Sequence, residues 1–157
     1  MSCILNIETS TSVCSVALSM DGEVLFAKAS FDGPSHAALL GVFVEEALSV
    51  LKKKGKKALD AVAVSSGPGS YTGLRIGVSV AKGLCFGFGI PLIGIHTLDI
   101  MAATVNLLGA SQIVSITDDC LYCAMLDARR MEVYAAIYDA SSVSYTHLRA
   151  HETSQDL

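Results

Sequence analysis

The segment Gly67-Pro68-Gly69-Ser70-Tyr71-Thr72-Gly73 constrains this chain more than any other, because it joins a short apolar run, 61–64, to a longer run, 73–88, of different period. The first run is predicted as a strand and the second as a helix, so the glycines and the proline must turn the chain within a few residues. Such a corner points backbone N–H groups toward one spot, and the start of the helix adds a positive field there. Gly67, Gly69, Ser70, Tyr71, Thr72 and Arg75 are therefore candidates for a loop that meets a nucleotide or a partner. The segment is not a P-loop, since no Gly-Lys-Ser/Thr follows, and it lacks the glycine spacing of a dinucleotide fingerprint. A corner that needs glycine and proline for geometry alone explains the same residues. The helix it launches carries Gly73, Gly77 and Ala81 at four-residue spacing, and then either Gly83 or Cys85, as small residues along one side. Glycine inside a helix costs about 1 kcal/mol relative to alanine, so this small-residue face marks the close approach of another backbone. That backbone belongs either to the chain's own sheet or to a partner.

Around the corner the periodicities alternate. Residues 3–7 are apolar and end in the hydroxyl-rich turn Thr9-Ser10-Thr11-Ser12, and 13–20 alternate with period two. Asp21-Gly22 is a strong hairpin signal, after which 23–30 returns as a third strand. Asp32-Gly33-Pro34-Ser35 supplies a turn and an N-cap, and Leu40, Phe43, Val44, Ala47, Leu48 and Leu51 then recur at helical spacing as far as Lys54-Gly55. A strand at 91–95, a helix at 97–108 and a hairpin of 123–126 with 132–138 complete the order β-β-β-α-β-α-β-α-β-β. That alternation predicts an α/β fold with a mixed sheet. The second hairpin echoes the first, AMLDARRMEVYAAIYD over LNIETSTSVCSVALSM, as two duplicated lobes would. The expected organisation is an N-terminal lobe over 1–108 and the start of a truncated second lobe over 109–142. Residues 143–157, VSYTHLRAHETSQDL, show no period and resemble the translation of a transposase sequencing adapter, so they are expected to be foreign to the native sequence.

Composition sets the outer bounds. With 52% hydrophobic and 17% charged residues the chain can bury a core. No uncharged apolar run reaches the roughly 18 to 20 residues that a membrane span needs, and the N-terminus MSCILNIETS has no basic n-region. The expectation is a cytoplasmic protein without membrane association. Cys3, Cys14, Cys85, Cys120 and Cys123 lack the paired spacings of a zinc site. Cys120 and Cys123 form a C-x-x-C that runs into strand-like residues instead of opening a helix, so buried reduced thiols are the better account. Eleven cations against fifteen anions leave a net charge of −4. A chain that gripped RNA alone would show a basic face; here the cationic run at 52–57 follows a helix, where cations meet the negative end of its dipole.

Glu8, ending the first strand, is a candidate phosphate or metal position, with Asp127 as its counterpart on the second hairpin. A phosphotransferase of this layout uses one carboxylate for magnesium and another as base, although both residues also suit capped turns. His36 is expected at the surface in the first turn of its helix, and His96 stands alone with Ile100 four residues on. No helical metal pair and no Ser/His/Asp or Cys/His arrangement is legible, so no catalytic residue and no metal site is assigned.

The segments ILNIETSTSVCSVALSMDGEV, SSGPGSYTGLRIGVSVAKGL, GIPLIGIHTLD and MLDARRMEVYAAIYD resemble the TsaB (YeaZ) family in order and spacing across residues 3–139. The resemblance implies an actin/Hsp70/sugar-kinase-like (ribonuclease H-like) lobe with a mixed sheet. It is similar, too, to the catalytic subunit TsaD, which carries a His-x-x-x-His metal pair after the strand corresponding to 91–95; this chain has His96 but Ile100 in place of the second histidine. What the resemblance implies is therefore a non-catalytic scaffold. It would pair with a TsaD-type subunit and a TsaE-type ATPase while the assembly transfers threonylcarbamoyl to the adenosine beside the tRNA anticodon. It further implies tRNA contact only through that complex, a homodimer as another state, no intrinsic cofactor, and ATP or ADP at the complex interface. In the family the first two helices form the pairing surface, which here implies Leu40, Phe43, Val44, Gly73, Gly77, Val80 and Ala81. The alternative carried by the fold is a phosphotransferase or a TsaD-like transferase.

Overall fold

Strict alternation builds the first strand, β1 (Cys3–Glu8): Cys3, Leu5 and Ile7 are buried, while Ile4, Asn6 and Glu8 turn to the other face. The computed structural model describes residues 2–31, 36–55, 58–110, 119–139 and 144–150. The turn expected at 32–35, Lys56, Lys57 and residues 140–143 and 151–157 lie outside the described residues. β2 (Cys14–Met20) runs antiparallel to β1 with Leu5 opposite Leu18 and Ile7 opposite Val16, so the apolar sets share one face. Asp21 and Gly22, at φ 50 and 88, close the next hairpin to β3 (Glu23–Ser30), the conformation that a two-residue turn of this hand requires. After α1 (His36–Lys53), β4 (Ala61–Gly67) returns parallel to β1, Leu5 pairing with Val62 and Ile7 with Val64. Then follow α2 (Tyr71–Phe88) and β5 (Leu92–His96), giving the sheet order β3-β2-β1-β4-β5.

Leu40, Phe43, Val44, Ala47 and Leu51 of α1, with Ala81 and Cys85 of α2, close over Leu5, Val16, Leu18, Val62 and Val64. Each buried leucine, valine or phenylalanine among these contributes roughly 1.5–3 kcal/mol, which is what fixes both helices to this face. Asp60 brackets the β1 end of the sheet: its carboxylate accepts the Cys3 N–H at 2.6 Å and its own N–H donates to the Cys3 carbonyl at 2.9 Å. Lys28 ties β3 to α1 by donating to both Glu46 carboxylate oxygens at 2.7 and 2.8 Å.

The chain divides into two compact units between Ile95 and His96. The boundary lies ahead of α3 (Thr97–Ala110), where 108 was expected, because α3 packs on the second hairpin. Leu98 and Ala102 of α3 join Ala124, Ala136 and Tyr138 in a small core. The Tyr138 hydroxyl donates to Asp99 Oδ1 at 2.7 Å, and its ring stacks on Tyr122 at 5.9 Å. Burial first, and then the Asp99 carboxylate, hold the Tyr138 phenol well above its usual range. The sheet of this unit is β6 (Leu121–Arg129), β7 (Glu132–Asp139) and β8 (Ser144–Ala150), in the order β6-β7-β8. Each unit therefore contains a three-stranded antiparallel meander, and the weak sequence echo is a repeat of topology. β8 falls in the stretch read as foreign, yet it pairs antiparallel with β7. Backbone pairing is made by groups common to all residues, so a strand can form there without a matching side-chain pattern.

Candidate functional site

The corner after β4 is wedged against the turn that follows β1. Ser70 donates its N–H to the Ser10 carbonyl, and its hydroxyl caps α2 by accepting the Gly73 N–H at 3.3 Å. Gly69 has φ 152, and a Cβ there would run into the Ser10 backbone. Gly73 and Gly77 lie over Thr9 in the same way: a Cβ would collide with the Thr9 carbonyl at the first and with Thr9 Oγ1 at the second. Thr9 and Ser10 are fully buried, and their hydroxyls have no hydrogen-bond partner among the described residues. Glu8 holds the turn from below, its Oε1 accepting the Ser10 N–H at 2.6 Å and the Ser65 hydroxyl at 2.9 Å. The Gly67–Pro68 peptide is cis.

This geometry decides what the small-residue face of α2 is for. Gly73, Gly77 and Ala81 are buried against the chain's own β1 turn and core, so they are not a partner surface. Leu40, Phe43 and Val44 are spent on the core as well, and of the residues expected at an interface only Val80 keeps partial exposure. Apolar spacing identified the face of each helix that packs, and the chain itself supplies the packing. The outward faces carry a different set: Ala37, Gly41, Val42 and Glu45 on α1, and Tyr71, Arg75, Lys82, Gly83, Phe86 and Gly87 on α2. Gly41 and Gly87 were overlooked, although an interior helix glycine is itself a signal, and Gly83, read as one possible member of the small-residue face, lies on the outward face instead. Of the loop candidates, Gly67 is buried, Gly69 and Ser70 are half-buried, and Tyr71, Thr72 and Arg75 are exposed, with the Arg75 guanidinium 5.5 Å from the Tyr71 ring centre.

The remaining candidates are used structurally. Asp127 Oδ1 accepts the Arg129 N–H at 2.7 Å, closing the β6–β7 turn, as Glu8 closes its own. His36 is buried, with Nε2 3.2 Å from the Val13 carbonyl, where a surface position was expected; the first turn of α1 faces the β2 start. Cys3, Cys14 and Cys85 are buried thiols, and burial pushes Cys14 up. Cys123 is exposed and Cys120 half-buried, against the expectation of burial for all five. An extended backbone advances about 10 Å over three residues and alternates faces, which does not suit a redox pair.

A family model described as TsaD, tRNA N6-adenosine threonylcarbamoyltransferase, matches residues 32–148. The chain belongs to the TsaD family. Within it, the resemblance to TsaB holds over most of the chain. The tRNA threonylcarbamoyladenosine biosynthesis protein TsaB of Escherichia coli is 36% identical over 149 residues, 92% of this chain and 58% of that protein. TsaB of Haemophilus influenzae is 36% identical over 83% of this chain and 51% of its own length. A tRNA N6-adenosine threonylcarbamoyltransferase of Nitratidesulfovibrio vulgaris is 38% identical over 62% of this chain and 31% of that one. The solved structure of YeaZ from Pseudomonas aeruginosa superposes with a TM-score of 0.73 at 30% identity, over 97% of this chain and 66% of that one. The chain thus spans about half to three-fifths of the curated TsaB relatives it matches. Its fold is the expected α/β arrangement with a mixed sheet, shared with the YeaZ structure. Among the described residues no three His, Cys, Asp or Glu side chains are grouped to hold a metal ion, and no helix is long and apolar enough to cross a membrane.

Proposed function

We propose that this TsaD-family chain is a non-catalytic scaffold that pairs with a TsaD-type transferase through the outward faces of α1 and α2. The solvent-facing helix glycines carry this reading. Gly41, Gly83 and Gly87 meet nothing within 4 Å of where a Cβ would stand. Among the described residues no neighbour accounts for them, and each costs about 1 kcal/mol relative to alanine. Phe86, between two of them, is 93% exposed. Small residues around a protruding ring let a second pair of helices approach closely, and covering the ring adds roughly 25 cal/mol per Å² of apolar surface. The pairing surface moves accordingly from Leu40, Phe43, Val44, Gly73, Gly77 and Ala81 to Gly41, Val42, Glu45, Arg75, Gly83, Phe86 and Gly87.

The outward face of α1 presents Glu45 and that of α2 presents Arg75 and Lys82. A second copy laid α1 against α2 satisfies both signs, so a homodimer uses the same surface when the transferase is absent. ATP or ADP rests at the edge of the joint against Ser70, Tyr71, Thr72 and Arg75, and a TsaE-type ATPase completes the assembly in the cytoplasm. Mixing the chain with a TsaD-type transferase should give a heterodimer by sizing chromatography, and Phe86→Asp should abolish it without changing the fold. Failure to co-elute at about 10 µM, well above the dissociation constants of stable complexes, would overturn the reading. ATP turnover by the isolated chain, lost in Glu8→Ala, would instead establish the phosphotransferase alternative.

A further inference from the structure

The seat of α2 on the turn after β1 combines close packing with unpaired polar atoms. Gly69, Gly73 and Gly77 bring the corner and the first two turns of α2 onto Ser10 and Thr9, leaving no room for a Cβ. What the three glycines meet first is the Ser10 and Thr9 backbone and the Thr9 side chain. Thr9 Oγ1 and Ser10 Oγ are shut in at this seat without a hydrogen-bond partner among the described residues. A buried hydroxyl left unpaired bears the full cost of its desolvation, and native structures keep few such groups. Two in succession make the seated state costly in polar terms while its packing is tight.

The elements on either side are anchored. Below the seat, Glu8 Oε1 accepts the Ser10 N–H and the Ser65 hydroxyl, and the Val13 N–H donates to Thr11 Oγ1 at 3.2 Å. Beyond it, Ala81 and Cys85 lie in the core, the Gly89 N–H closes α2 on the Cys85 carbonyl, and Cys85 Sγ donates to the Pro91 carbonyl at 3.4 Å. Between these anchors the Ser70 N–H reaches the Ser10 carbonyl, and Leu74, Ile76 and Val78 are only half-buried. Gly67 and Gly69, at φ 107 and 152, stand where the chain enters the corner, and glycine absorbs backbone rotation there at little steric cost.

We infer that residues 67–77 form a strap that lifts off the β1 turn as a unit, hydrating the Thr9 and Ser10 hydroxyls while the later half of α2 stays seated. Opening gives up the packing and the Ser70–Ser10 hydrogen bond and gains two solvated hydroxyls, so the two states lie close in free energy. Tyr71, Thr72 and Arg75 are exposed on the strap, and its seating sets where the loop and the start of the outward face stand. The inference rests on the joint alone and not on the role proposed above. Native-state amide hydrogen exchange of the whole chain tests it. Amides of residues 74–78 should be less protected than those of 81–85 by about tenfold or more, although both sets lie inside one helix. Thr9→Val replaces the unpaired hydroxyl with a methyl group of the same shape and should slow exchange of 74–78 about tenfold, leaving 81–85 unchanged. Ser10→Ala should act in the same direction and carries the test if Thr9→Val does not fold. Thr9→Ser keeps the hydroxyl, removes the methyl and should not slow 74–78. Equal protection of the two halves of α2 in the parent chain overturns the inference. Slowing of 74–78 and 81–85 by one common factor overturns it too, because the hydroxyls would then weigh on global unfolding and not on a local opening. The inference also falls if neither Thr9→Val nor Ser10→Ala slows 74–78.

Discussion

The two meanders of this chain have the same strand order and different turns. In the first, Asp21 and Gly22 close the second hairpin, β2 to β3, with residues that suit positive φ. In the second, the first hairpin, β6 to β7, holds Arg129, Arg130 and Met131 at positive φ without glycine. The cores differ in the same sense. The first sheet is covered by two helices whose buried residues include Leu40, Phe43, Val44 and Leu51, whereas the second has Leu98, Ala102, Ala124, Ala136 and Tyr138. Local chemistry and long-range packing agree in the first unit, and in the second a polar contact, Tyr138 to Asp99, carries a larger share. Consistency across levels marks a region selected for stability, and a local violation marks one where something else is asked of the residues.

The largest effect expected is at the joint of the first unit. Gly77→Leu drives a side chain into Thr9 and should cost about 3 kcal/mol or more, read as a collapse of the urea midpoint. A tolerated leucine would mean that α2 is not seated on the β1 turn. Next comes Tyr138→Phe, which leaves the Asp99 carboxylate without this donor and should destabilise the second unit by roughly 1–2 kcal/mol at pH 7. The sign with pH is definite: a phenol raised on folding stabilises fully below its unfolded value near 10 and loses that contribution as pH rises beyond it. The gap between parent and Tyr138→Phe should therefore narrow above about pH 10. A gap that stays constant to pH 11 would show that the hydroxyl does not carry it.

How much of this was legible follows from the range over which each signal acts. Element order was readable because alternation in 13–20 and the helical recurrence of Leu40, Phe43, Val44, Ala47 and Leu51 are local. The placing of α3 was not, since Leu98 and Ala102 pack equally well on either sheet as far as their own sequence goes. The glycine stripe was found, with its neighbour left open between the chain's own sheet and a partner. Gly73 and Gly77 state that something comes close, but that Thr9 is what comes close depends on β1 and β4 pairing across 57 residues. His36 was missed for the same reason, its partner Val13 lying 23 residues away.

Two smaller tests bear directly on the turns. Met131→Gly should stabilise the second unit by about 1 kcal/mol and Gly22→Ala should destabilise the first by a similar amount. Thermal unfolding of each variant followed by strand circular dichroism checks the pair. Equal and opposite shifts sharpen the contrast; two neutral results would erase it. The smallest change is Gly83→Ala, where open space and helical φ should give a gain of about 0.5–1 kcal/mol in the isolated chain. The same substitution is expected to weaken pairing with a second pair of helices, so stability and association should move in opposite directions.

The parallel pairing of β1 with β4 has a consequence for synthesis. β1 finds its antiparallel neighbour within a few residues, since Glu8 sits opposite Ser15, but its other edge waits for Ala61–Gly67 to be made. At roughly 5–20 residues per second, that edge stays open on the ribosome for several seconds. During that interval the nascent chain offers a row of unpaired N–H and C=O groups beside Leu5 and Ile7, the kind of strand that joins neighbouring chains. A pause in translation before Ala61 should therefore raise the fraction that aggregates, and one after Phe88 should not.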